Sequence, residues 1–198
     1  QIRAYDLATG KHEVIDIGAG ANDIVVSHAG HLYFTDPKEG KVWHIDLKTK
    51  KRKMAASVNG LNGIGMSADQ TQLFVCEFAG PYVHSFSIEE DGSLKNRQAY
   101  FYAQQSTQNS TVGLDGQCAV ASGHLLVGTF AGLQIFDQPG RVQLVLPRPA
   151  YEDGRVNYCA VHGDMLYIAT RHRIYKRKVK LQEAPAWKYP VKPPKPRL

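Results

Sequence analysis

The sequence predicts an all-β fold, a β-propeller of which about four and a half four-stranded blades are present. Three observations carry this. Four segments share one layout: Asn22-Asp23-Ile24-Val25-Val26 to Leu32-Tyr33-Phe34-Thr35-Asp36, Asn62-Gly63-Ile64-Gly65-Met66 to Leu73-Phe74-Val75-Cys76-Glu77, Asp115-Gly116-Gln117-Cys118-Ala119 to Leu125-Leu126-Val127-Gly128-Thr129, and Asn157-Tyr158-Cys159-Ala160-Val161 to Leu166-Tyr167-Ile168-Ala169-Thr170. Their opening residues, Asn22, Asn62, Asp115 and Asn157, lie 40, 53 and 42 positions apart. A period of roughly 40–50 residues holding several short strands marks a propeller blade. Finally, no stretch keeps helical periodicity beyond about two turns.

Each unit reads as an anchor strand, a more hydrophobic second strand, a third and a fourth. Lys41–Leu47 is a third strand, with Val42, His44 and Asp46 alternating against Trp43, Ile45 and Leu47, which predicts one buried and one wetter face. Lys51–Val58 is the matching fourth. Similar runs span Tyr82–Ile88, Gln98–Ala103, Leu133–Phe136, Val142–Leu146 and Arg173–Val179. The clusters Ala8-Thr9-Gly10-Lys11, Glu90-Asp91-Gly92-Ser93 and Gln138-Pro139-Gly140 supply hairpin turns between strands. Gln1–Leu7 and Lys11–Gly18 match a third and a fourth strand with no inner pair before them. The chain thus enters a blade late, as a piece of a longer protein would, and the units after it read as four complete blades.

Two domains of different character are expected: residues 1–182 as the partial propeller, and 183–198 as a basic, proline-rich tail. Pro185, Pro190, Pro193, Pro194 and Pro196 cannot donate to a sheet ladder and favour an extended conformation. A packing strap and a disordered end are both compatible with that composition.

The net charge of +6 is unevenly placed. From Thr170 onward there are ten Lys or Arg against Glu183 alone, which leaves fourteen basic and seventeen acidic residues in the rest. Nucleic-acid surfaces spread their cations over a face and interleave aromatics. A charged edge strand with a solvated tail accounts for this pattern instead, so no nucleic-acid partner is expected. No run approaches the ~18–20 apolar residues of a membrane span, and no membrane partner is expected. Cys76, Cys118 and Cys159 show no CxxC spacing and sit in apolar strand patterns, as small buried hydrophobes do. The eight histidines show no paired ligand spacing, and His31 and His124 read as turn-side imidazoles. Ser27, Ser67 and Ser122 lack a GxSxG elbow, and Gly18-Ala19-Gly20-Ala21 lacks a GxGxxG cradle.

Chemistry is expected on the propeller axis. The first strand of each blade lines the channel, so Asn22, Asn62, Asp115 and Asn157 should converge there. Amide and carboxylate oxygens with one negative charge suit a hard divalent cation such as Ca²⁺ or Mg²⁺. The plainer alternative is that Asn and Asp start strands from tight turns, helped by Gly63 and Gly116. Ca²⁺ usually takes ~6–8 oxygens and more than one carboxylate, so water or a further carboxylate would have to complete the shell.

These residues resemble the gluconolactonase, regucalcin and luciferin-regenerating-enzyme-like family. Asn62-Gly63-Ile64-Gly65-Met66-Ser67-Ala68-Asp69 with Leu73-Phe74-Val75 is similar to the family's PNG–strand–SPDG–LYV segment, with Leu61 in place of its usual Pro. Asn22-Asp23 with Leu32-Tyr33-Phe34-Thr35-Asp36-Pro37 resembles its ND…YFTDP segment, and Leu114-Asp115-Gly116 its DG segment. The resemblance spans about Gln1 to Val179. It implies a six-bladed propeller in the parent protein, with one divalent metal on the axis, Ca²⁺ foremost and Mg²⁺ or Zn²⁺ as alternatives. It implies Asn62 and Asp115 as metal ligands, Asn22 as a further ligand or substrate-binding amide, and Asp115 as the catalytic base in hydrolysis of a small-molecule sugar lactone. The family's first ligand, a Glu in an EGP-like segment, has no counterpart here. The rival expectation is a non-enzymatic propeller acting as a binding or scaffold module.

Overall fold

The structure, a computed structural model, describes residues 1–18 and 20–189. Strands β1 (Ile2–Tyr5) and β2 (His12–Asp16) form a two-stranded sheet. A first blade follows: β3 (Ile24–Val26), β4 (His31–Asp36), β5 (Lys41–Asp46) and β6 (Lys51–Ser57). The second holds β7 (Leu61–Met66), β8 (Gln72–Glu77), β9 (Tyr82–Ile88) and β10 (Leu94–Tyr102). The third holds β11 (Gln117–Ala119), β12 (Leu125–Thr129), β13 (Gly132–Phe136) and β14 (Val142–Leu146). The fourth holds β15 (Val156–His162), β16 (Met165–Thr170) and β17 (Ile174–Lys178). Each sheet is an antiparallel meander, as short polar turns between adjacent strands require. Register is regular in β4–β5, for example, where His31 faces Asp46 and Asp36 faces Lys41.

The fold is therefore the all-β propeller that the repeat predicts, and β1–β2 is the outer half of a blade. One expectation needs correcting. The fourth blade has three strands among the described residues, not four. After β17 the chain leaves the sheet instead of turning back along it. The N–H of Ala121 bonds the Gln182 carbonyl at 2.9 Å, and Glu183 bridges Val120 beyond β11. Farther on, Gln70 Nε2 donates to the Ala186 carbonyl at 3.0 Å, and Tyr189 packs edge-on against His28. Residues 182–189 thus cross the third, second and first blades where their inner strands end. Of the five tail prolines, Pro185 lies in this crossing, while Pro190, Pro193, Pro194 and Pro196 lie outside the described residues.

A second correction concerns the one-faced burial expected for the third strand. In β5, Val42 and His44 on one side and Ile45 on the other are all buried. The reason is stacking: a blade inside the series is covered on both faces by its neighbours. Alternate residues of one strand then enter different cores. Leu32 and Phe34 pack with Ile2 and Ile15 of the half blade, while Tyr33 between them packs with Leu61 and Val75 of the second blade. Phe74 likewise joins Leu114, Val127 and Phe136 of the third blade. Leu126 joins Val156 and Ile168 of the fourth. At about 1.5–3 kcal/mol for each large apolar side chain buried, these interblade layers are the main source of cohesion. Blade packing runs in chain order, from β4 to β7, β7 to β11, and β11 and β12 to β15. The inner strands at the ends of that series keep apolar side chains exposed: Ile24 at 42%, Val26 at 39% and Tyr158 at 41%.

Candidate functional site

The four anchor residues lie side by side at the starts of successive inner strands, and backbone contacts show how closely. An added Cβ on Gly63 would lie 2.1 Å from the Asp115 carbonyl oxygen, and one on Gly116 would lie 2.7 Å from that of Asn157. The Gly116 N–H donates to that Asn157 carbonyl at 2.8 Å. Neither Gly63 nor Gly116 has a positive φ. The glycines therefore serve close approach between adjacent strands, as at tightly converging backbones, and not turn formation. In the first blade the position after the anchor is Asp23, not glycine. Its Oδ2 reaches across to accept from the Ile64 N–H of the second blade at 3.0 Å, and its Oδ1 accepts from Ile24. Burial pushes the Asp23 carboxyl up from its ordinary value, against the pull of these two N–H bonds; the nearby Asp115 charge adds a smaller push the same way.

Asn22 and Asn62 line one cavity of about 350 Å³, together with Phe78 and Arg155. Asp115 is joined to this cavity through Arg155. The Arg155 Nε donates to Asp115 Oδ2 at 2.8 Å, and Asn157 Nδ2 donates to the same oxygen at 3.0 Å. The guanidinium also lies over Phe78 at 4.9 Å and Phe130 at 5.6 Å from the ring centroids. It is held as a cation between two aromatic faces and a carboxylate, with 28% of the side chain exposed. Asn157 and Arg155 also share an adjoining cavity with Phe130 and Arg171. Asn157 Oδ1 is buried with no hydrogen-bond partner.

The donors suit a hard divalent cation in kind. Asn22, Asn62 and Asp115 offer amide and carboxylate oxygens, and the orphaned Asn157 Oδ1 is a further oxygen with no protein proton to accept. In charge they are sparse: no group of three or more His, Cys, Asp or Glu comes together among the described residues, and Arg155 pairs with Asp115. The set fits such an ion, with Arg155 as a built-in competitor for its carboxylate.

Two residues at this rim carried no role in the sequence reading. Arg155 stands two positions before the anchor Asn157, in the bend that leads into β15, and both line one cavity; that spacing was the available signal. Asp23 lay within the Asn22-Asp23 pair, but a sequence does not reveal that its carboxylate serves another blade's backbone. Elsewhere, the His31 Nδ1 and His44 Nε2 lie 3.0 Å apart, so His31 meets a second imidazole as well as a turn.

The family model described as "SMP-30/Gluconolactonase/LRE-like region" matches residues 3–172. A gluconolactonase of Zymomonas mobilis subsp. mobilis is 24% identical over 180 residues, which cover 80% of this chain and 50% of that protein. The chain thus spans about half the length of the curated relative it matches. A gluconolactonase structure from Xanthomonas campestris superposes with a TM-score of 0.72 at 22% identity, covering 88% of this chain and 63% of that one. A calcium-binding protein, regucalcin, from Agrobacterium tumefaciens gives 0.73 at 14% identity, covering 91% and 70%. At these identities the structural likeness establishes the shared propeller fold.

Proposed function

The chain belongs to the SMP-30/gluconolactonase/LRE-like family, and on that premise we propose that its full-length parent is a metal-dependent hydrolase of sugar lactones. One observation carries the reading: Asn22 and Asn62 line a single cavity with Arg155, whose guanidinium is bonded to Asp115. These are the three positions that the family motifs single out, drawn from three different blades. The relatives named gluconolactonase and the calcium-binding regucalcin support the substrate class and the ion.

Asn62, Asp115 and Asn22 are the residues that would hold a divalent cation, Ca²⁺ by its preference for oxygen donors. When bound, such an ion polarises a carbonyl oxygen and lowers the pKa of water. The chain's own groups do the rest. Asn22 is exposed at the cavity wall, where its amide can orient the lactone's polar atoms. Asp115 receives the proton of the water that adds to the lactone carbonyl, after which the ring C–O bond breaks to leave an acid and an alcohol. Arg155 and Asn157 both bond Oδ2, which fixes the carboxylate plane and keeps Oδ1 clear of these two donors. Phe78 and Phe130 hold Arg155 in place and cover part of the rim with apolar surface.

The test is hydrolysis of aldonolactones by the full-length parent, before and after chelation and after return of Ca²⁺. Chelator-sensitive hydrolysis restored by Ca²⁺ is expected. Hydrolysis indifferent to chelation overturns the metal role, and absence of hydrolysis with any metal leaves a propeller that serves as a binding or scaffold module.

A further inference from the structure

Away from the anchor rim, the other end of the axis holds a pair of thiols. Cys118 in β11 and Cys159 in β15 come from the inner strands of the third and fourth blades, 41 positions apart in sequence. Their Sγ atoms are 3.4 Å apart, in van der Waals contact. Both line an axial cavity of about 400 Å³, with Ile64, Met66 and Tyr158 on its walls and residues 183–187 of the crossing segment along its edge. Cys118 is partly exposed there, whereas Cys159 is buried, with its S–H directed at the Leu126 carbonyl at 3.5 Å. The third cysteine, Cys76, is fully buried in the layer between the second and third blades.

We propose that Cys118 and Cys159 are a site of disulfide formation that cross-links the inner strands of the third and fourth blades, with a peroxide reaching Cys118 through the axial cavity. A disulfide has an S–S length of about 2.05 Å, so the sulfurs must close by roughly 1.4 Å, a shift that side-chain torsion and a small strand adjustment can supply. The chemistry balances in two steps. The Cys118 sulfur attacks one peroxide oxygen, the O–O bond breaks, and Cys118 sulfenic acid and one water result. The Cys159 sulfur then attacks the sulfenic sulfur, its proton leaves with the hydroxyl as a second water, and the S–S bond forms. Two thiols are oxidised by two electrons and one peroxide is reduced. The order of events follows from position: Cys118 is partly exposed at the cavity wall while Cys159 is buried, so peroxide meets Cys118 first. Neither partner stands out from sequence alone, because neighbouring blades bring together residues that no local spacing connects.

The experiment treats the folded, reduced chain with hydrogen peroxide, quenches it with catalase, and alkylates it in denaturant with N-ethylmaleimide. The reduced chain should take up three alkyl groups, one for each of Cys76, Cys118 and Cys159. The peroxide-treated chain should take up one, with a single cross-linked peptide joining Cys118 to Cys159 and Cys76 as the alkylated residue. Addition of dithiothreitol should restore all three. Cys76→Ala should form the same cross-link, and Cys118→Ser should leave Cys159 alkylated after peroxide. Retention of three reactive thiols, a cross-link involving Cys76, or conversion of Cys118 to sulfinic acid with Cys159 still free would each overturn the proposal. Because the decisive measurement is the peptide map of the unmutated chain, it holds even if a variant folds poorly.

Discussion

Replacing Gly63 with alanine tests the interblade packing most directly. The backbone conformation tolerates the change, since Gly63 has no positive φ. What stands in the way is the third blade. The new Cβ would lie 2.1 Å from the Asp115 carbonyl oxygen, 2.7 Å from its carbonyl carbon and 3.1 Å from the Gly116 Cα. All three are backbone atoms, so no rotamer change relieves the clash. The inner strands β7 and β11 must part by about 1 Å to bring the closest contact up to 3.0 Å. Overpacking of this kind costs typically ~1–3 kcal/mol, and occasionally more where backbone has to move. With ~2–4 °C of melting temperature per kcal/mol for a chain of this size, the expected drop is about 2–12 °C. Gly65→Ala is the comparison: its Cβ would meet the Gln117 Cγ at 3.1 Å, which asks that side chain to give by only a few tenths of an ångström. Thermal unfolding followed by circular dichroism, with urea titration at fixed temperature, measures both. If Gly63→Ala melts with the unmutated chain, or Gly65→Ala is the more damaging of the two, the close-approach account of these glycines is wrong.

In the full-length parent, Asp115→Asn should abolish lactone hydrolysis while the circular dichroism spectrum stays near that of the unmutated protein. The change keeps the side chain's size and removes its charge. The isolated chain should bind Ca²⁺ weakly and show no lactone turnover, whereas chelator-sensitive turnover would refute the need for a further carboxylate. Arg155→Gln frees Asp115 from a charged hydrogen bond worth ~1–2 kcal/mol at a partly exposed site, so Ca²⁺ affinity by titration calorimetry should rise roughly 5–30-fold; weaker binding would show that Arg155 supports the site instead of competing for it. Gln134 is fully buried and bonds both backbone groups of Gln104, at 2.8 and 2.6 Å, so Gln134→Leu should lower stability by ~1–3 kcal/mol in urea unfolding. Burial, helped by the neighbouring His31 and Lys53, pushes His44 down to about 4. Its unfolded value is near 6.5, so the unfolded chain takes up a proton that the folded chain refuses between those values. Stability should therefore fall as pH drops from ~6.5 towards 4, and His44→Leu should flatten that part of the profile.

Why the propeller was legible but the rim was not follows from range. Strand alternation, turn residues and the recurrence of Asn22, Asn62, Asp115 and Asn157 are local or periodic, and they located each strand to within a few residues. The longest strand, Leu94–Tyr102, began earlier than its apolar run because Lys95, Asn96 and Arg97 form an exposed blade edge that carries no hydrophobic signal. That the last blade has three strands among the described residues was equally invisible: Arg173–Val179 reads as an ordinary strand, and nothing in it says that the next residues leave for the axis.

By itself, then, the sequence determined the architecture, the order of the blades, the presence of an outer half blade at the start, and the family whose motifs the anchors share. Those depend on backbone periodicity, which is written along the chain. Only the tertiary structure decided what the converging residues do to one another. It set Gly63 and Gly116 against neighbouring backbone, gave the Asp23 carboxylate to the Ile64 N–H, placed Arg155 on Asp115, and brought the Cys118 and Cys159 sulfurs into contact. Each of these pairs joins separate blades some forty to fifty residues apart in sequence. Contacts of that kind depend on how tightly blades stack about the axis, and stacking is a property of the assembled cores, not of any single strand.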